Sequence, residues 1–339
     1  LDEEHISYEE FGGVKPNPRL SFARKGVEKA IAFGAELILA VGGGSAIDTA
    51  KGIAIGAANP GTDIWEFWKR RAPLTRSMPV GVVLTIPAAG SETSDSAVLT
   101  NAEAGEKRGL NTPFNRPAFA ILDPLLAATL PVHQVACGVS DILMHTLDRY
   151  FNPVTDNALT DELAEALLRV VLEYGPAAVR DAHDEKAMSE IMWAGSLSHN
   201  GLTGLGGRKD FATHQLGHAL SEKFDVYHGD SLTAVWSSWA RSVTDADPAR
   251  FARFARNVWH VEEADDTAAA LAGIAKQEAF FQSIGMPVRL GELSCGKQDE
   301  AGLADLASRC SYGKTRTIGT FRVLDYESIL AIYRRANEA

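Results

Sequence analysis

Aspartate and histidine residues at helical spacing form the most informative pattern in the sequence. Asp141 and His145 are four residues apart in an otherwise apolar stretch, so both side chains should lie on one face of a helix. His214 and His218 repeat this spacing, and His228 follows close to the expected start of the next helix. A buried carboxylate needs a cationic partner or a metal, and imidazoles with a carboxylate suit divalent first-row ions. These five residues therefore predict a metal site.

Each of these pairs also has a simpler explanation. Taken alone, Asp141 and His145 are typical of a helix-surface pair, and a single histidine is most often a hydrogen-bonded residue of the core. Three histidines within positions 214–228, in a chain that has nine, favour one divalent ion held together with the Asp141–His145 pair. The spacing lacks the glutamate of the zincin helix motif, so nothing specifically indicates hydrolysis.

Two turns rich in small residues predict a nucleotide site. The run Gly42-Gly43-Gly44-Ser45 follows the apolar segment Leu37–Val41 and precedes a helical pattern. Its glycines let the backbone approach a phosphate at a helix N-terminus, although they could equally serve only the geometry of the turn. A second such turn, Thr85–Thr93, lies at the end of the apolar run Val80–Ile86. Because ligands of open α/β sheets bind outside the carboxyl ends of the strands, both turns are expected to border one crevice.

The apolar periodicity divides the chain into two regions. A helical pattern over Arg19–Phe33, with a C-cap at Gly34, precedes strand-like runs at 37–41, 80–86 and 118–122. This order predicts an α/β domain with a largely parallel sheet, in which the first strand is covered on both faces and Ser45 caps the next helix.

Beyond Pro131 strand signals nearly vanish, and amphipathic patterns predict an all-helical region. The predicted helices run over residues 132–150, 161–174, 187–202, 211–224, 231–244, 267–283 and 326–336. We place the boundary within 124–131, which gives an α/β domain over 1–128 and an all-α domain over 129–339.

Composition and charge exclude several function classes. The 339 residues carry a formal net charge of -11 and contain no block rich in lysine or arginine, which argues against a nucleic-acid partner. The apolar runs are far too short to span a membrane, and no signal-peptide pattern opens the chain. Cys137, Cys295 and Cys310 are too few and too scattered for a disulfide framework, and their spacing indicates no metal role. We therefore expect a cytoplasmic protein that acts on small molecules.

In order and spacing, several motifs of this chain resemble the iron-containing alcohol dehydrogenase family. They are Gly42–Ser45 with Asp48 and Lys51, Thr85–Glu92, Leu122-Asp123-Pro124, Asp141–His145, and His214 with His218 and His228. The likeness covers almost the whole chain and is greatest to the branch of NADPH-dependent butanol dehydrogenases and aldehyde reductases. It implies a Rossmann-like α/β domain followed by an all-helical domain, the architecture shared with dehydroquinate synthase.

The resemblance also implies roles for individual residues. Asp141, His145, His214 and His228 match the metal ligands, and His218 matches a histidine beside the nicotinamide and the substrate. The positions that match nucleotide contacts are Gly42, Gly43, Gly44, Ser45, Asp48, Thr85, Ser91, Ser94, Lys107 and Leu126. The implied metal is Fe(II) or Zn(II), the implied cofactor NADP(H) rather than NAD(H), and the implied assembly a homodimer or larger homo-oligomer. Family members begin with a further strand–turn–helix unit that contacts the adenosine ribose, and the first domain is expected to lack it.

These parts together predict the reaction. A cation makes an alcohol more acidic and polarises an aldehyde carbonyl, while hydride passes between carbon and nicotinamide and His218 relays the proton. Aldehyde reduction is the expected physiological direction. Two alternatives stay open at this point, a non-redox metal- and NAD-dependent cyclase of the dehydroquinate synthase kind and a non-catalytic metal- or nucleotide-binding module. Net consumption of NAD(P)H with an aldehyde distinguishes the dehydrogenase from both.

Overall fold

The computed structural model describes residues 2–154 and 156–338 and divides into two compact units. The first comprises Leu1–Leu84 and Asp95–Ile121, and the second comprises Thr85–Ser94 and Leu122–Ala339. The units thus divide between Ile121 and Leu122, earlier than the domain boundary predicted at 128. The segment Thr85–Ser94, which the prediction gave to the first domain, belongs to the helical unit because it hydrogen-bonds to helix residues such as Ser196.

The described residues of the first unit form three α-helices and two small sheets. Its helices are α1 (Leu20–Phe33), α2 (Gly44–Ala58) and α3 (Ile64–Trp68), and the strands are β1 (Ile38–Gly42), β2 (Val80–Leu84), β3 (Ser96–Asn101), β4 (Glu106–Asn111) and β5 (Phe119–Leu122). One sheet has the order β1-β2-β5, with β1 and β2 parallel from Ile38 opposite Val80 to Gly42 opposite Leu84. The antiparallel pair β3–β4 forms the other sheet.

Burial of apolar residues holds the first unit together. Leu20 of α1, Trp65 and Trp68 of α3, and Leu99 of β3 belong to one buried cluster. The indole of Trp68 donates to the Ala97 carbonyl oxygen over 3.1 Å, so the polar atom of this large buried side chain is satisfied. Helix α1 ends as predicted at Gly34, whose φ of 73° is the left-handed conformation typical of a helix C-cap.

Two local predictions for this unit are wrong. The first strand is not covered on both faces, because Leu39 and Val41, which lie on the same face of β1, are 38% and 61% exposed. Ser45 is not the N-cap of α2, because the helix already begins at Gly44 and its N-cap is Gly43, which has no side chain to accept a bond. The backbone amides at the start of α2 therefore have no side-chain cap and can donate to other backbone groups or to a ligand.

The second unit is helical, as predicted. Its α-helices are α4 (Val132–Tyr150), α5 (Ala158–Arg180), α6 (Glu185–His199), α7 (Ala212–Phe224), α8 (His228–Val243), α9 (Pro248–Trp259), α10 (Asp266–Ser283), α11 (Glu300–Cys310) and α12 (Tyr326–Glu338). Short 3-10 turns connect several of them, including Pro124–Ala127. Helices α9 and α11 are absent from the prediction. Among the residues described, no helix is both long and apolar enough to cross a membrane.

Candidate metal centre

Helix α4 presents acidic and imidazole side chains along one face. Asp141, His145 and Asp148 lie at positions i, i+4 and i+7, which returns each of them to the same side of a helix. Almost all of α4 from Val135 onward is buried, and Asp141 and His145 are each only 4% exposed. A carboxylate held in such surroundings is costly unless a cation or hydrogen-bond donors compensate its charge.

Helices α7 and α8 supply the remaining histidines. His214 is in the first turn of α7, His218 lies one turn later, and His228 is the first residue of α8. The connection between the helices is short because Asp225 ends α7 in a left-handed conformation, with φ of 53°. This sharp reversal brings His228 back beside the histidines of α7.

The histidine nitrogens converge on one carboxylate oxygen. From Oδ1 of Asp141 the Nε2 atoms of His145, His214 and His228 are 3.5, 3.6 and 3.7 Å away, respectively. Two ligand atoms bound to one ion at tetrahedral angles, each about 2.1 Å from it, are roughly 3.4 Å apart. The three observed separations are close to that value and too long for hydrogen bonds.

Two of these atoms have no hydrogen-bond partner. Oδ1 of Asp141 and Nε2 of His214 are both fully buried, and neither makes a hydrogen bond. Leaving buried polar atoms unsatisfied costs about 1–3 kcal/mol each. A divalent cation among the four side chains would satisfy both atoms at once, so the residues present fit a metal ion.

Asp148 fixes the orientation of His214. Its Oδ2 accepts a bond from Nδ1 of His214 over 2.5 Å, and the two side chains are 0% and 3% exposed. Because Nδ1 then carries the proton, the lone pair of Nε2 points toward Asp141. A carboxylate behind a metal-binding histidine also makes that histidine a stronger ligand.

Burial and charge move the two buried histidines in opposite directions. The pKa of His145 lies well below its usual value, because burial penalises the imidazolium and His199, His214 and Arg149 add positive charge nearby. The pKa of His214 is raised despite its burial, because the carboxylates of Asp141 and Asp148 stabilise its protonated form. In the metal-free protein His145 is therefore neutral, whereas His214 stays protonated to a higher pH than an ordinary histidine does.

Three further residues beside this cluster were not predicted from the sequence: Asp148, Asp210 and His199. Asp210 accepts backbone bonds from Thr320 and Phe321, and burial together with Asp148 raises its pKa to about 6. The His199 ring centroid lies 4.0 Å from that of His145, and its Nδ1 donates to the Ala89 carbonyl oxygen over 2.6 Å. Asp148 had a sequence signal, since it continues the Asp141–His145 face by one turn.

His218 lies beside the converging ligands. Its ring centroid is 5.4 Å from that of His228 and 6.3 Å from that of His214. Asp141, His214 and His228 form a group whose ligand atoms all approach one another, and neither His145 nor His218 belongs to it. The role of His218 beside the metal ligands stays a prediction.

In the first unit, the predicted phosphate turn connects β1 to α2. Gly42 has φ of 153°, and a Cβ there would be 2.7 Å from that of Ala46, so the turn requires glycine. Oδ2 of Asp48, a predicted nucleotide contact, accepts from the Val98 amide of β3 over 2.8 Å. Lys107, another predicted contact, donates to Oδ1 of Asn17 over 2.9 Å.

The remaining predicted nucleotide contacts lie in the second unit. Ser91 and Ser94, 4% and 0% exposed, are in the segment Thr85–Ser94, which also begins with the predicted contact Thr85. This segment is anchored to α6, because Glu92 accepts from the Ser196 hydroxyl over 2.6 Å. Leu126 lies in the 3-10 turn that precedes α4 and is 41% exposed.

Two family models match this chain. Residues 1–124 match the model described as iron-containing alcohol dehydrogenase, and residues 134–337 match the C-terminal model of the Fe-containing alcohol dehydrogenase family. Together they cover most of the chain, including all the residues that converge at the metal centre.

Several individual proteins are also similar to this chain in sequence or in structure. NADH-dependent butanol dehydrogenase A of Clostridium acetobutylicum is 36% identical over 99% of this chain and 86% of its own length. The NADPH-dependent aldehyde reductase YqhD of Escherichia coli is 35% identical over 84% of this chain and 74% of its own length. The crystal structure of NADH-dependent butanol dehydrogenase A of Thermotoga maritima superposes with a TM-score of 0.94, at 30% identity, over 99% of this chain and 85% of that one.

Proposed function

The chain belongs to the iron-containing alcohol dehydrogenase family, and from this premise we propose that Asp141, His145, His214 and His228 hold its metal ion. It is a metal-dependent, NAD(P)-dependent oxidoreductase that interconverts alcohols and aldehydes. The observation that supports the proposed ligands most directly is the convergence of three Nε2 atoms on the unpartnered Oδ1 of Asp141.

The protein's own residues prepare this site for a cation. Burial keeps His145 neutral, so that its lone pair is free to coordinate. Asp148 holds the proton of His214 on Nδ1 and leaves Nε2 as the ligand atom. When bound, the cation supplies a positive charge that polarises the oxygen of the reacting alcohol or aldehyde. We propose iron as the native ion, with zinc as the alternative that the same ligands accept.

We further propose that His218 transfers the proton. Its imidazole lies next to two proposed ligands, and an imidazole exchanges protons readily near neutral pH. It can deliver a proton to the oxygen of an aldehyde during reduction and remove one from an alcohol during oxidation. We expect reduction of aldehydes to be the physiological direction, which a comparison of kcat/KM in the two directions at neutral pH will measure.

For the cofactor, we propose that Gly42–Ser45 contacts the pyrophosphate. The 15-residue helix α2 begins there without a side-chain cap, so its free amides and its dipole suit an anion. NADP(H) is our predicted form, in line with the name of the Escherichia coli reductase. The names of the butanol dehydrogenases given above specify NADH instead, so kcat/KM must be measured with both cofactors. We also propose a homo-oligomer, which light scattering after gel filtration will test.

Elemental analysis and activity together test the metal ligands. Protein purified without chelator should contain about one equivalent of iron or zinc and should oxidise NADPH or NADH in the presence of short aldehydes. Asp141→Asn and His214→Gln should lower both metal content and turnover by at least about 100-fold, beyond what loss of an outer partner costs. His183→Gln is the matched control, because that histidine is exposed on the surface.

The outcomes separate the candidate functions. Bound metal and nucleotide without turnover would indicate a binding module, and conversion of a substrate without net cofactor consumption would indicate a cyclase. If the Asp141 and His214 variants keep wild-type metal content, the proposed ligand set is wrong. His218→Asn should keep the metal but lose about 100- to 10,000-fold in kcat, and equal loss of metal would assign that residue to coordination instead.

A further inference from the structure

A second cluster of potential ligands lies next to the metal centre. His133 and Cys137 are one turn apart on α4, and Asp230 is in the first turn of α8. His133 Nε2 is 3.1 Å from Asp230 Oδ1, and Cys137 Sγ is 3.6 Å from Nε2 and 3.7 Å from Oδ1. The three donor atoms therefore form a compact triangle, whose shortest side, between His133 and Asp230, has the length of a hydrogen bond. The sequence spacing had indicated no metal role for any cysteine.

The size of this triangle matches one face of a tetrahedral zinc site. With Zn–S of about 2.3 Å and Zn–N and Zn–O of about 2.1 Å, tetrahedral angles place sulfur roughly 3.6 Å from either of the other ligands. The same geometry places nitrogen and oxygen roughly 3.4 Å apart. The observed distances of 3.6, 3.7 and 3.1 Å thus differ from these values by a few tenths of an ångström at most.

The chain backbone is shaped to bring these side chains together. A Cβ on Gly229 would lie 2.7 Å from the Cys137 Cα and 2.9 Å from its carbonyl oxygen, so only glycine permits α8 to begin this close to α4. The next residue, Asp230, can then reach both the thiol and the imidazole. Its side chain is only 14% exposed, whereas that of His133 is 43% exposed and leaves one side of the cluster accessible.

The charge around the cluster favours a cation. His133 and Asp230 line a cavity of about 510 Å³ together with Asp225 and Glu292. No lysine or arginine is among the described residues that line it. The acidic side chains in this wall outnumber the basic ones, which favours a positive ion, and the open cavity offers room for water as a fourth ligand.

We propose that His133, Cys137 and Asp230 form a second divalent-cation site, distinct from the centre at Asp141, and that zinc is the ion that this set of nitrogen, sulfur and oxygen donors suits. On binding, the thiol of Cys137 loses its proton to solvent and the thiolate coordinates the ion. An ion held there joins the start of α4 to the start of α8, the two helices that carry Asp141 and His228. The thiolate distinguishes the two sites, because the centre at Asp141 has only nitrogen and oxygen ligands.

Cobalt(II) substitution tests this proposal in the intact protein. Co²⁺ takes the place of zinc and gives a near-ultraviolet charge-transfer band only when a thiolate coordinates it. We expect the metal-free wild-type chain to show this band on titration with Co²⁺ and to lose it on addition of Zn²⁺. Cys137→Ser should abolish the band, and His133→Gln should weaken Co²⁺ binding at this site by at least about tenfold.

Two further variants make the result specific to this cluster. Cys295→Ser should keep the band, because that thiol is outside the cluster. Asp141→Asn should also keep it while losing the metal of the other centre, so the proposal can fail or succeed independently of the proposed function. Absence of the band in a folded wild-type chain would overturn the proposal and leave a hydrogen-bonded triad. A band that persists in Cys137→Ser would overturn it as well.

Discussion

Replacement of Asp148 by asparagine is the sharpest test of how this chain tunes its metal centre. The substitution keeps the shape of the side chain and an oxygen that can accept from Nδ1 of His214, but it removes the negative charge. That hydrogen bond is 2.5 Å long, and both partners are almost completely buried. Charge-assisted bonds of this kind are about twice as strong as neutral ones, and burial leaves them little screened.

The expected cost follows from this geometry. Loss of a carboxylate behind a ligating histidine lowers metal affinity about 10- to 100-fold, or about 1.4–2.7 kcal/mol. Since the bond here is short and shielded from water, we expect a loss near the upper end of that range. The asparagine amide also leaves a buried N–H group without an evident acceptor, which adds to the cost.

Competition of the metal-free protein with a chromophoric chelator measures this effect directly. The dissociation constants for Zn²⁺ and Fe²⁺ should both rise in Asp148→Asn, while circular dichroism reports an intact fold. Asp181→Asn is the matched control, because that aspartate is exposed and its amide counterpart can still accept from the His183 backbone. A folded Asp148→Asn protein whose dissociation constants stay within twofold of wild type would refute the assigned role.

Three further outcomes can be measured. The pKa of His214 is raised above 6.5, so at a pH below this raised pKa a cation must displace a proton in order to bind. The logarithm of the apparent metal affinity should therefore rise by about one unit per pH unit and then level off at higher pH. The pKa of Asp210 is raised from 3.8 to about 6, so the folded state gives up its proton later than the unfolded chain does. The metal-free wild type should therefore lose about 2 kcal/mol of unfolding free energy, relative to Asp210→Asn, between pH 4 and pH 6. Denaturation differences that do not change with pH would contradict this. Gly138→Ala would place a Cβ 2.1 Å from the Pro87 carbonyl oxygen and should cost about 1–3 kcal/mol by chemical denaturation, whereas Gly12→Ala meets no atom within 4 Å and should change stability little.

The convergence of Asp141 with the histidines could be anticipated in part because helical periodicity is a local property. Asp141 and His145, and likewise His214 and His218, share helix faces whatever the fold is, and the helix α4 begins and ends at the predicted residues. The hairpin β3–β4 was missed because β4 begins with Glu106-Lys107-Arg108 and carries no apolar alternation. Helix α9 was missed although Phe251, Phe254, Ala255 and Val258 give it an apolar face.

Residues that act through tertiary contacts could not be found in this way. His199 reaches the cluster from the end of α6, and nothing in its sequence surroundings relates it to His145. Asp210 precedes α7 in a loop, and only the fold brings the Thr320 and Phe321 amides to it. Cys137 and Asp230 are likewise far apart in sequence and meet only because α8 starts beside α4. Local spacing thus identifies ligands on one helix, whereas their supporting partners depend on helix packing.

The carboxylates around His214 concentrate negative charge at the proposed metal centre. Asp141, Asp148 and Asp210 place three acidic groups in a buried region, where unneutralised charge is expensive. The pKa values of His214 and Asp210 are both raised, so protons on these two groups offset part of that charge. A divalent ion bound at His214 must displace that proton, and the positive charge it brings also makes protonation of Asp210 less favourable. Metal binding and proton release are therefore coupled through Asp148, which contacts His214 directly and raises the pKa of Asp210.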